Sequence, residues 1–182
     1  MIVTPTAIPD VLLVQPVVHG DQRGFFVETW HEGRYAGAGI PGPFVQDNHS
    51  RSVRHTLRGL HYQAERPQGK LVRAAVGTIF DVAVDLRRSS ATFGRWVGAV
   101  LSDENHHQLW VPPGFAHGFY VLSERADLVY KCTEVYRAEL DRALRWDDAA
   151  LGIAWPLVGA EPPLLSAKDS AAPGLADAEK YP

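Results

Sequence analysis

The chain has 182 residues, a length that suits one domain with a sizeable hydrophobic core. Hydrophobic residues make up 46% of the chain and charged residues 21%, which indicates a packed globular protein and argues against disorder. The formal net charge is -3, so a nucleic-acid-binding protein, which would usually be basic, is not expected.

Cysteine usage and the N-terminal residues indicate where the protein works. Cys132 is the single cysteine of the sequence, which excludes an intrachain disulfide. The first ten residues lack a basic segment followed by a long apolar run, so we expect no signal peptide and no membrane span. These features predict a cytoplasmic protein without a membrane partner.

Short β-like segments, separated by Gly, Pro, Asn and Asp, occupy most of the chain. Only two short helices are predicted, at 32–38 and 148–151, which favours an antiparallel sandwich or jelly-roll barrel. We predict an all-β fold with one domain over 1–182 and an irregular tail over about 157–182 that packs on the barrel. The predicted strands are 11–18, 24–30, 44–50, 57–63, 70–76, 78–86, 95–102, 108–111, 118–122 and 127–136.

The segment TIFDVAVDL (78–86) shows the two-residue period of a strand. One predicted face is apolar and the other carries two carboxylates beside Ala83. The apolar face has Phe80, Val82, Val84 and Leu86, and the other has Asp81, Ala83 and Asp85.

The first candidate for chemistry is His61, in RGLHYQ (58–63). Strand alternation places Leu57, Gly59, His61 and Gln63 on one face. A histidine and a glutamine on that face indicate a barrel interior that is partly polar. A single histidine in a strand is more often structural, so a function for His61 depends on the residues around it.

The segment VPPGFAHGF (111–119) resembles the second metal motif of the cupin superfamily, with His117 in the ligand position. The first cupin motif requires H-x-H followed by a glutamate. Here it reads His61-Tyr62-Gln63, and Glu65 lies too close to serve as the glutamate. The metal-ligand set is therefore incomplete, and we predict no metal.

Two further residues have open roles at this point. In LVYKCTEVY (128–136), alternation places Tyr130 on the face of Leu128 and Cys132, where it is either a packed core residue or a general acid. In SAKD (166–169), Asp169 lies in the irregular tail. If the tail covers the barrel mouth, this carboxylate could orient a histidine and raise its basicity.

Several polar and charged residues could together bind a diphosphate, because guanidinium–phosphate hydrogen bonds are strong and directional. Each one alone is more typical of a solvated surface. The group consists of Arg23, Glu28, Gln46, Asn48, Arg58 and Lys70.

Seven ordered blocks, from about Ile8 to Pro173, resemble the dTDP-4-dehydrorhamnose 3,5-epimerase family. Such a set is far more specific than one motif. The resemblance implies a double-stranded β-helix barrel of the cupin type, usually a homodimer, without metal or cofactor. It also implies the substrate dTDP-4-dehydro-6-deoxy-D-glucose, which is converted into the L-rhamnose precursor. The blocks are DQRGFFVETW, FVQDNHSRS, LRGLHYQ, QGKLVRAAVGTIFDVAVDLRRSSATFGRW, LWVPPGFAHGF, YKCTEVY and LLSAKD.

The resemblance also implies residue roles. His61 matches the base, Asp169 its partner and Tyr130 the acid, while Lys70 matches the lysine beside the sugar ketone. The family often has glutamate where this chain has Asp141, so we expect that contact to be either shorter or lost. The matches to substrate contacts are Arg23, Glu28, Gln46, Asn48, Arg58, His117, Asp141 and Lys168.

Simple alternation places Arg58 and His61 on opposite faces of their strand. Both can reach one site only if Gly59 marks a bulge or a twist.

The implied reaction suits these residues, because a C–H bond beside a ketone is a weak acid whose removal creates an enolate. A cation such as Lys70 stabilises the developing oxygen charge, and inversion requires a base and an acid on opposite faces of the ring. Three alternatives stay open. They are an epimerase of a single carbon in antibiotic deoxysugar synthesis, a metal-dependent cupin oxygenase or isomerase using His61 and His117, and a non-catalytic sugar-binding barrel. The intact RGLHYQ and YKCT blocks favour double epimerisation.

Overall fold

Two antiparallel β-sheets face each other in a computed structural model that describes residues 1–159 and 161–182. Their pairing confirms the predicted all-β class. The strands are β1 (Ile2–Pro5), β2 (Leu12–Gln15), β3 (Val18–Asp21), β4 (Gly24–Val27), β5 (Gln46–Val53), β6 (Leu57–Gln63), β7 (Lys70–Val76), β8 (Thr78–Asp85), β9 (Trp96–Ser102), β10 (Gln108–Val111), β11 (Phe115–Val121), β12 (Arg125–Cys132) and β13 (Asp141–Ala143).

The chain crosses repeatedly between the two sheets. One sheet has the order β1-β2-β10-β7-β12-β5 and the other the order β13-β6-β11-β8-β9, while β3 and β4 form a separate hairpin. From β5 to β8, and again from β10 to β13, each successive strand therefore joins the opposite sheet. This winding is the jelly-roll arrangement of a double-stranded β-helix.

The short peripheral elements were predicted only in part. Helix α1 (Glu32–Gly37) agrees with the prediction. The predicted helix at 148–151 is wrong, because Asp148 Oδ1 accepts a hydrogen bond from Ala150 N and stabilises a turn. Helix α2 (Ala167–Ser170) and strands β1, β3 and β13 were not predicted, since each is too short to show a period.

Apolar packing occurs in three layers. The layer between the sheets contains Val72 and Leu128 from one sheet and Phe119 from the other. A second layer, which includes Val82, lies on the outer face of the five-stranded sheet and is covered by Tyr181 and other tail residues. A third covers the outer face of the six-stranded sheet, where Tyr35, Ile40, Leu71 and Trp110 pack together.

Side-chain hydrogen bonds attach the C-terminal tail to β6. The Tyr62 hydroxyl donates to the Glu179 carbonyl at 2.6 Å, and the Tyr181 hydroxyl donates to the Gln63 carbonyl. The tail therefore supports the strand that carries His61. Within the described residues, no helix combines the length and the apolar character that a membrane span requires.

Candidate active site

A cavity of about 470 Å³ lies between the two sheets. Both sheets contribute polar side chains to its walls, and the segments between strands contribute several more. The six-stranded sheet supplies Gln46, Asn48, Ser50, Lys70, Leu128 and Tyr130; the five-stranded sheet supplies Arg58, His61, Tyr62, Gln63, His117, Phe119 and Asp141; the connecting segments supply Gln68, Tyr136 and Lys168.

His61 is paired with a buried carboxylate. Its Nε2 lies 2.5 Å from Asp169 Oδ1, and the Asp169 side chain is only 2% exposed. Ser166 Oγ donates to the other carboxylate oxygen at 2.9 Å. Burial alone would raise the pKa of Asp169, but the hydrogen bonds from His61 and Ser166 hold that pKa below its usual range. A charged carboxylate accepts the Nε2–H of the ring, which leaves Nδ1 as its basic nitrogen.

Asp169 reaches His61 because the tail returns over β6. Leu57 N donates to the Leu164 carbonyl at 3.0 Å, and Leu164 N donates to the His55 carbonyl at 2.8 Å. Helix α2 follows this attachment and presents Asp169 to the cavity side of β6. The carboxylate of the tail thus joins a histidine that lies 108 positions earlier in the chain.

His117 forms a second histidine–aspartate pair beside the first. Its Nε2 lies 2.8 Å from Asp81 Oδ1, and it faces His61 directly across the pairing of β11 with β6. Asp81 is fully buried, and its Oδ2 has no hydrogen-bond partner among the described residues. Sequence reasoning missed Asp81 as a functional residue, although alternation had placed it on the polar face of its strand.

Lys70 lies on β7 of the six-stranded sheet, and its side chain reaches across to His61 on the other sheet. Lys70 is 8% exposed, and burial lowers the pKa of its amine below the usual range. Its Nζ lies 3.5 Å from the His61 carbonyl oxygen, a long hydrogen bond. A buried cation that neighbouring protein groups stabilise so weakly would interact strongly with a negative charge that develops in the cavity.

Tyr130 lies on β12, in the sheet opposite the one that carries His61. Of the chain's six tyrosines, it is the one whose hydroxyl has no hydrogen-bond partner among residues 1–159 and 161–182. Burial raises the pKa of its phenol, so the group is protonated at neutral pH. The other five hydroxyls, of Tyr35, Tyr62, Tyr120, Tyr136 and Tyr181, are all bonded.

A bulge at Gly59 brings Arg58 to the cavity side of β6. His61 pairs with His117 and Arg58 with Phe119, so three residue steps on β6 oppose two on β11. Gly59 has φ 122, and a Cβ there would lie 2.6 Å from Gly118 Cα. This close approach requires glycine and explains how Arg58 and His61 line one cavity.

The remaining lining residues contact one another. Gln46 Nε2 donates to Asn48 Oδ1 at 3.0 Å, and Gln46 Oε1 accepts from Tyr136 N at 2.8 Å. Asp141 Oδ2 accepts from the Tyr136 hydroxyl at 3.0 Å and also binds Lys168 Nζ. These polar groups surround the cavity with hydrogen-bond donors and acceptors.

Arg23 and Glu28 lie apart from this cavity. Arg23, in the turn between β3 and β4, pairs with Asp21, and its side chain is 85% exposed. Glu28 pairs with Arg34 of α1. The structure therefore does not bring these two predicted substrate contacts to the cavity of their own chain.

The cavity histidines both use Nε2 to bind aspartates, Asp169 and Asp81. Over the described ranges, no group of three or more His, Cys, Asp and Glu side chains is arranged to hold a metal ion. The donor set therefore resembles two acid–base pairs rather than a ligand cage.

Residues 5–177 match the family model described as dTDP-4-dehydrorhamnose 3,5-epimerase. The chain belongs to this family. The enzyme of that name from Pseudomonas aeruginosa is 56% identical over 180 residues, covering 98% of each chain. The one from Neisseria gonorrhoeae is 54% identical over 180 residues, and the match spans 99% of this chain but 54% of that longer relative.

Solved structures of the family superpose closely. A dTDP-6-deoxy-D-glucose-3,5-epimerase from Legionella pneumophila, in complex with dTDP-4-keto-L-rhamnose, has TM-score 0.93 and 50% identity, covering 96% of this chain and 93% of that one. A 3'-monoepimerase from Streptomyces bikiniensis, in complex with dTDP-quinovose, has TM-score 0.87 and 36% identity, covering 94% and 87%. Both kinds of epimerase thus share this fold.

Proposed function

We propose that the chain is a dTDP-4-dehydro-6-deoxy-D-glucose 3,5-epimerase, which inverts C3 and C5 on either side of the C4 ketone. Membership of the epimerase family supports this activity. The observation that carries the mechanism is the pair of His61 with Asp169 on one wall and the unbonded Tyr130 hydroxyl on the other. Inversion requires a base and an acid on opposite faces of the sugar.

In the proposed first step, His61 Nδ1 takes the proton from a carbon beside the ketone. The electron pair of the broken C–H bond moves into the ring, and the ketone oxygen becomes an enolate. Lys70 stabilises that negative charge as it forms, and Asp169 stabilises the protonated imidazole.

In the second step, Tyr130 donates its proton to the opposite face of the same carbon. The C–H bond forms again with inverted configuration, and the oxygen returns to a ketone. Proton exchange with solvent restores His61 and Tyr130 for the second carbon. Each inversion is redox-neutral, so its balance needs no redox cofactor.

We assign substrate binding to the other polar groups of the cavity. Arg58 carries a guanidinium suited to a phosphate, and its Nε donates to Ser52 Oγ at 2.9 Å. His117, fixed by Asp81, offers its second ring nitrogen to the sugar. Gln46 and Asn48 offer amides beside these groups.

We further propose that Arg23 and Glu28 act in the cavity of a second copy within a homodimer. The hairpin β3–β4 that leads to them carries Phe25 and Phe26, which are 61% and 68% exposed. A protein–protein contact would remove these two large apolar side chains from water. Mixing inactive Arg23→Ala and His61→Asn chains tests this directly. If the hairpin β3–β4 of each chain reaches the cavity of its partner, each heterodimer regains one intact site. If every site is built from one chain, the mixture stays inactive.

The deciding experiment for double epimerisation is incubation with dTDP-4-dehydro-6-deoxyglucose in heavy water, followed by NMR. We expect deuterium at both C3 and C5. Label at one carbon alone would instead make the chain a single-carbon epimerase, an alternative kept open by its similarity to the 3'-monoepimerase.

A further inference from the structure

Two consecutive residues of helix α2 bind side chains on two neighbouring strands. Lys168 Nζ binds the carboxylate of Asp141 on β13, and Asp169 binds His61 on β6. In the pairing of β13 with β6, Asp141 faces Gln63 and Ala143 faces His61. The two contacts therefore attach the same helix to adjacent parts of one sheet.

Backbone hydrogen bonds attach the tail on either side of helix α2: Leu164 bonds to residues at the start of β6, and the Pro173 carbonyl accepts from Arg145 N at 2.8 Å. The helix has four residues, too few for a helix to be stable by itself, and Asp169 is its one buried residue. Ser166, which caps the helix and bonds Asp169, belongs to the same tail segment. Between these attachments, the described side-chain hydrogen bonds that α2 itself makes to the sheet are those of Lys168 and Asp169.

Asp141 is itself held in place from a second direction. The Tyr136 hydroxyl donates to Asp141 Oδ2 at 3.0 Å, and the Asp141 side chain is 20% exposed. A partly buried carboxylate that also accepts a hydrogen bond from a tyrosine has a defined position. A flexible lysine that binds to it is therefore held in place.

We propose that Asp141 and Lys168 are positioning residues, which act on the reaction by holding Asp169 against His61. This inference rests on the proposed function of His61 and Asp169. It adds a second role to the direct substrate contact that the resemblance implies for this pair. A misplacement of about 1 Å in such a group can cost about 100-fold in rate.

The test begins with Asp141→Asn, which keeps the cation of Lys168 but weakens its attachment. We expect kcat to fall about 10-fold with KM nearly unchanged.

Two further variants separate positioning from folding. Asp141→Glu keeps the charge and should retain kcat within about threefold. The exchanged pair Asp141→Lys with Lys168→Glu should recover most of the kcat that either single change loses, because the attachment is restored with reversed polarity. Glu179→Gln, which breaks the neighbouring pair with Arg142, serves as the matched control and should leave kcat and KM unchanged.

Substrate contact without a positioning role would give a different pattern of kcat and KM values. Lys168→Met would raise KM, Asp141→Asn would leave kcat unchanged, and the exchanged pair would recover nothing; that pattern overturns the positioning role. An equal loss of kcat in Glu179→Gln would overturn it too. Absence of deuterium exchange in the wild-type chain would instead reject the proposed function itself.

Discussion

Replacing Tyr130 with Phe removes one oxygen atom from the wall opposite His61. Since no described protein group bonds this hydroxyl, we expect the free energy of unfolding to change by less than about 0.5 kcal/mol. The catalytic cost should be far larger. A general acid typically contributes about 10²–10⁴-fold, so the barrier to inverted product should rise by about 3–5 kcal/mol.

The assay compares two rates in heavy water, because the variant keeps His61 and Lys70 and can still form the enolate. Deuterium uptake at the starting configuration should fall less than formation of the inverted product. The matched control is Tyr120→Phe, which loses bonds to His55 at 2.9 Å and to Val158 N at 3.3 Å. That variant should lose about 1 kcal/mol of stability and keep its activity.

Two results would refute this reasoning about Tyr130. If uptake and inversion fall by the same factor, Tyr130 is not a separate acid. If neither rate falls, Tyr130 is a packed residue, and the donor must be another group.

His61→Asn should abolish deuterium exchange at the sugar carbons but keep binding of dTDP in calorimetry; exchange at the wild-type rate would exclude His61 as the base. Activity should survive exhaustive chelation, and its loss, with recovery on adding one metal, would favour the metal-dependent cupin alternative. Burial raises the pKa of Asp85, but hydrogen bonds from Arg87, Ser90 and Thr92 outweigh it and lower that pKa to about 2. The shift from the unfolded value of about 3.9 stabilises the fold by about 2 kcal/mol at pH 7. This stabilisation is present above pH ~4 and is lost as pH falls through about 2. The loss in free energy of unfolding caused by Asp85→Asn, measured with urea, should therefore be roughly half as large at pH 3 as at pH 7. An equal loss at both pH values would contradict the assignment.

The sequence by itself determined most of the strands and most of the site chemistry. Local hydrophobic periodicity predicted the bounds of β6, β7 and β10 as the structure has them, because a strand's alternation depends only on its own residues. The ordered motifs also named His61, Lys70, Tyr130 and Asp169, which the fold places at one cavity or against its lining residues.

Only the tertiary structure decided which distant groups meet. Asp81 became recognisable as a site residue when β8 placed it against His117, since alternation shows a face but no partner. The bulge at Gly59 depends on the close backbone of β11, which no local pattern records. Arg23 matched a substrate contact by motif, yet its exposed side chain does not line the cavity of its own chain. Periodicity reports the environment of one segment, whereas a site is made by contacts between segments that are far apart in the chain.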